Sequence, residues 1–100
     1  MTTPTPTPAL DAAALELGLA DLLRVIRDAY RAERPLDSAR LGHQLGWTPV
    51  ATSAAVAHAK QRLLIWAIRT SGVPAATYDD IELTVQGRRL LRSIEADPSA

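Results

Sequence analysis

Apolar side chains recur at helical spacing along most of the chain, and turn-forming residues interrupt the runs. From about Leu10 to Glu33, the residues Leu15, Leu19, Leu22, Leu23, Ile26 and Tyr30 trace one face of a single long helix, with Asp11 as its candidate N-cap. Leu17 and Val25 lie off that stripe and give the helix a second apolar edge. Asp28 is spaced to pair with Arg24 and Arg31 on the solvated side. Pro35 then stops the run. Leu41 and Leu45 share a face of the next, short helix; Asp37 caps it, and Leu36 against Leu41 makes a hydrophobic staple. Gly46 supplies a left-handed residue to end it. Thr48 as N-cap and Pro49 at the first helical position open a helix reaching about Arg62, with Ala55, Val56, Ala59 and Leu63 on its apolar face. Two short helices joined through glycine predict a helix-turn-helix over residues 37–63.

Beyond Leu63 the pattern shortens. Ile65 to Thr70 is brief and bulky enough for a strand. Residues 71–77, SGVPAAT, are turn chemistry. Tyr78 to Thr84 sets Tyr78, Asp80, Glu82 and Thr84 against Ile81 and Leu83, a returning strand. Residues 64–84 therefore read as a β-hairpin with a loop of about seven residues. Thr84 caps a last helix from Val85 to about Ala96, with Leu90, Leu91 and Ile94 facing inward. The alternating Thr and Pro of residues 1–9 predict a disordered or polyproline-like tail, and residues 97–100 a frayed end. One α+β domain, mostly helical, is expected over 10–96.

Composition narrows the function classes. The 100 residues are 47% hydrophobic, but alanine supplies much of that and Phe is absent. A modest core results, and a partner chain could complete it. The long first helix serves either dimerisation, through Leu15, Leu17, Leu19 and Leu22, or a deeper core. Eleven basic residues balance eleven acidic ones, so no global charge draws the chain to nucleic acid or membrane. The absence of Cys excludes disulfides and thiolate metal sites. The start lacks the basic and apolar regions of a signal peptide, and the longest apolar run, Leu63 to Ile68, is too short to span a bilayer. A cytoplasmic protein without cofactor is expected. His43 and His58 have no acid at metal-ligand spacing on their own helices, and no nucleophile set or phosphate loop is visible, so no enzyme is expected. Asp79, Asp80 and Glu82 read as a polar strand face, Trp47 as core, and Trp66 as core or interface anchor.

LGHQLGWTPVATSAAVAHAKQRLLI, residues 41–65, resembles the winged helix-turn-helix of bacterial regulators of the MarR, PadR and ArsR type. Their Leu…Leu-Gly-hydrophobic-Ser/Thr-Pro core is carried here by Leu41, Leu45, Gly46, Trp47, Thr48 and Pro49. IELTVQGRRLL is similar to their hydrophobic-x-Leu-Thr-x-x-Gly-x-x-Leu-Leu, through Ile81, Leu83, Thr84, Gly87, Leu90 and Leu91. The resemblance covers roughly residues 36–94. It implies a wing at 64–84 and a second helix lying in the DNA major groove, facing the bases with Ala51, Ser53, Ala54, Ala57 and His58. The chain departs from the family at Ala54, where Arg is common, and in residues 71–77, which hold no Lys or Arg.

Charge is mildly concentrated at the expected helix-turn-helix. Residues 35–64 are net +2, and each flanking segment is net −1. The expectation is a DNA-binding transcriptional regulator, dimeric on a two-fold site. Thr52, Ser53 and His58 would read bases, while Arg40, Thr48, Lys60, Arg62 and Arg69 would hold phosphates. Arg88 and Arg89 open the last helix, where they oppose its dipole and hint at a partner anion. The alternative is the same module turned to protein–protein contact through its alanine-rich helix, without DNA.

Overall fold

The computed structural model describes residues 12–72 and 76–96. The Thr/Pro tail, the Asp11 cap, part of the hairpin loop and the C-terminal end lie outside the described residues. Among those described, five helices and one two-stranded antiparallel hairpin form a mostly helical α+β structure.

The first helical run is broken into α1 (Ala12–Leu17) and α2 (Leu19–Arg31). Gly18 stands at the break, with φ −83° and ψ −8°. The reason is distant in sequence: a Cβ at Gly18 would sit 3.1 Å from Trp47 Cη2, so the chain needs its thinnest residue there. Leu19, Leu22, Leu23, Ile26 and Ala29 bury the inner face of α2 against the other elements. Leu19 and Leu22 are therefore core and are not free for a dimer interface, while Leu17 is 85% exposed and Leu15 half-buried. Tyr30 also leaves the expected stripe and faces outward. The ion pairs differ from the expected ones: Arg24 meets Asp21, and Asp28 meets Arg27.

Local chemistry fixes the next two helices. Asp37 accepts the Arg40 N–H at 2.8 Å and starts α3 (Ser38–Leu45). Gly46, at φ +70°, ends it in the left-handed region. Thr48 Oγ1 accepts the Ala51 N–H at 3.1 Å and starts α4 (Pro49–Gln61). The helices approach closely at Gly42, where a Cβ would lie 2.6 Å from Thr52 Oγ1. That approach buries Thr52, and with α1 and the core on its other sides α4 is buried at Ala51, Thr52, Ser53, Ala55, Val56 and Ala59.

The hairpin consists of β1 (Ile65–Ser71) and β2 (Thr77–Leu83). Ile65 pairs with Leu83, and Arg69 with Tyr78, with a register irregularity between Trp66 and Ile68. Asp80 takes φ +49° opposite it. This bulge shifts the alternation by one residue, so Tyr78 turns inward with Ile81 and Leu83 instead of joining the polar face. Two hydrogen bonds tie β2 to the entrance of α3: the Ile81 N–H donates to Leu36 O at 3.1 Å, and the Tyr78 N–H to Ser38 Oγ at 3.0 Å.

The LTVQG stretch then acquires a physical meaning. Thr84 donates from Oγ1 to Leu63 O at 2.6 Å and accepts the Gly87 N–H at 3.0 Å, which starts α5 (Val85–Ala96). A Cβ at Gly87 would lie only 2.0 Å from Leu64 O. Leu91 reaches the core, and Leu90 packs on it.

Candidate nucleic-acid interface

With one flank of α4 on the core and α3, the outward face carries Val50, Ala54, Ala57 and Gln61, at successive helical turns. Val50 is 53% exposed, the two alanines are half-buried, and Gln61 is exposed. The helix thus presents methyl groups over most of this stripe and one amide at its far end.

Two expected base-reading residues do not reach that face. Thr52 is 1% exposed, and its hydroxyl donates to Thr48 O at 2.8 Å. Ser53 is buried as well, and so is Ala51. All three serve packing of α4, which removes them from contact with a ligand in this conformation. Ala54, Ala57 and part of His58 remain at the surface.

The expected phosphate contacts divide into two sets. His58 Nε2 is 2.9 Å from Glu16 Oε1, and Arg62 Nη1 pairs with the same oxygen. One carboxylate of α1 therefore engages two cation-forming side chains on the flank of α4. Lys60 Nζ stands 5.4 Å from the Tyr78 ring centroid, a cation–π contact within the fold. Arg40 and Arg69 stay exposed. Arg40 hydrogen-bonds Pro35 O at 3.1 Å and has Asp37 at 4.0 Å, a solvated arrangement that a phosphate could replace. Thr48 is exposed, and its hydroxyl oxygen accepts the Ala51 N–H.

The hairpin lies beside this face. A cleft of about 290 Å³ is bordered by Gly42 and His43 of α3, by Pro49 of α4 and by Ala76 and Thr77 at the loop end of the hairpin. His43, Val50 and Gln61 are exposed here, and Glu16 shapes the charge on the flank. Local sequence carries no signal for Glu16, because its partners lie 42 and 46 residues away.

A second, apolar cleft of about 250 Å³ runs between α1 and α4, lined by Leu15, Leu17, Gly18, Trp47, Ala51 and Ala55. On the hairpin, Trp66 (66% exposed) and Ile68 face outward, as do nearby Leu63 and Val85. Among the described residues no three His, Asp or Glu side chains gather as a metal site, and no helix is long and apolar enough to cross a membrane. Comparison with family models, curated proteins and solved structures finds no match to this chain.

Proposed function

We propose that the chain is a winged helix-turn-helix protein that binds duplex DNA, with α4 entering the major groove and the hairpin as its wing. The observation that carries this reading is the capped α3–Gly46–α4 unit, held beside the hairpin by the Ile81–Leu36 and Tyr78–Ser38 hydrogen bonds, with Val50, Ala54 and Ala57 on one outward stripe of α4. Val50, Ala54 and Ala57 are suited to thymine methyl groups, the apolar feature of the major groove. Arg40, Arg69 and the Thr48 hydroxyl supply phosphate contacts around them. The role is binding, without catalysis or cofactor, as a cytoplasmic transcriptional regulator acting as a dimer. Such an interface has few cations and a mostly apolar reading face. Its affinity is expected to be modest and its sequence discrimination weighted toward A·T pairs.

Fluorescence anisotropy with a mixed-sequence duplex tests this. Two phosphates neutralised by Arg40 and Arg69 predict a slope of log affinity on log salt of about −2 per protomer bound, and Arg40→Ala or Arg69→Ala should each make it shallower by about one per protomer. Absence of binding at low salt sinks the reading. A protein-contact role is the second reading, favoured by the outward Trp66 and Ile68, since exposed aromatic and aliphatic groups of this size mark protein interfaces.

A further inference from the structure

Away from α4, the C-terminal half of α2, the end of β2 and α5 from Arg88 to Glu95 line a cleft of about 280 Å³. Its apolar floor is Leu83 and Leu91, both buried. Its walls are two arginine pairs, each spaced one helical turn: Arg27 and Arg31 on α2, Arg88 and Arg92 on α5. Glu95 is the acidic residue of the lining.

That carboxylate is already committed. Glu95 Oε1 takes the hydrogen bond of Arg27 Nη1, and its Oε2 lies 3.5 Å from Arg24 Nε. The Glu95 hydrogen bond is the main cause that raises the Arg27 pKa, against desolvation. Arg88 lies 5.2 Å from the centroid of the Tyr30 ring, which orients it without neutralising it. Arg31 and Arg92 have no side-chain partner among the described residues. Three arginines of the lining, Arg31, Arg88 and Arg92, therefore have no carboxylate partner among the described residues beside an apolar floor. Like charges at i, i+4 oppose helix stability, and Arg88 in the first turn of α5 also opposes the helix dipole.

We propose that this cleft binds a small organic phosphate monoester, with the phosphate held by Arg31, Arg88 and Arg92 and the organic group on Leu83 and Leu91. A phosphate dianion has three terminal oxygens out of one plane, which suits guanidinium groups arriving from two helices. A carboxylate offers half the charge and two coplanar oxygens. The cleft volume is at the small end of ligand sites, which restricts the organic group to about one ring. This site does not depend on the DNA reading, because it shares no residue with the α4 face.

The test is a titration of the isotope-labelled full chain with phenyl phosphate in a buffer free of phosphate and sulfate, followed by NMR. Resonances of Arg31, Leu83, Arg88 and Arg92 should move together on one saturating curve, and benzoate should bind at least tenfold more weakly. Replacing both Arg31→Gln and Arg92→Gln should weaken phenyl phosphate at least tenfold, whereas Arg89→Gln, outside the cleft, should leave binding unchanged. Both variants alter exposed side chains, and unchanged resonances elsewhere in their spectra should show that the fold is kept. Absence of saturable shifts at millimolar phenyl phosphate overturns the proposal. Equal weakening by Arg89→Gln also overturns it, since that result would mean diffuse attraction rather than a site.

Discussion

At the scale of single residues, the structure assigns physical work to positions that look ordinary in the sequence. Gly87 is the sharpest case. With Leu64 O only 2.0 Å from where its Cβ would stand, Gly87→Ala must push α5 off the hairpin. We expect a loss of about 3 kcal/mol, toward the top of the overpacking range, read as a thermal midpoint lowered by roughly 15 °C. An unchanged midpoint would contradict the packing described. Thr48 predicts a smaller effect. Thr48→Ala removes the cap on α4 and should cost about 1 kcal/mol in urea unfolding, with DNA affinity falling as well. Loss of stability alone would leave Thr48 a cap and no phosphate ligand. The caps at Asp37, Thr48 and Thr84 and the turn at Gly46 were legible in the sequence because each depends on neighbours within four residues. Gly18 was not, because its neighbour is Trp47. Tyr78 was assigned to the wrong face because an alternation rule has no means of foreseeing the bulge beside Asp80.

At the scale of elements, α4 is the instructive one. Its limits follow from Thr48, Pro49 and the break at Leu63, which takes φ +59°. Its orientation follows instead from the glycine contact with α3 and from α1 on its flank. Thr52 and Ser53 read as polar and therefore outward in a local pattern, yet both are buried, Thr52 by the close approach at Gly42. Glu16 has a further consequence. Its carboxylate holds His58 and Arg62, and under the proposed DNA binding it competes with phosphate for both. Glu16→Gln should release both side chains and tighten duplex binding a few-fold, with stability changed by about 1 kcal/mol or less because Glu16 and Arg62 remain partly exposed to water. Anisotropy checks the affinity and urea unfolding the stability. Unaltered affinity would show that the α1 flank stays clear of the duplex.

At the scale of the whole molecule, balanced charge hides an uneven distribution. The sequence places its mild positive excess in residues 35–64, but folding engages Arg62 and Lys60 internally and gathers Arg27, Arg31, Arg88 and Arg92 between α2 and α5. Segment sums along a chain cannot register this, since the two arginine pairs come from opposite ends of it. The same holds for the apolar surface. Leu19 and Leu22 close the core, and among the exposed apolar residues Leu17 stands on α1 while Trp66 and Ile68 share β1.

The measurement that bears most directly on DNA binding through α4 is an NMR titration of the labelled chain with a mixed-sequence duplex at two salt concentrations. We expect shifts in His43, in Thr48 to Ala57 and around Arg69, shrinking as salt rises. Shifts confined to the α2–α5 arginines, or none at low salt, would contradict it.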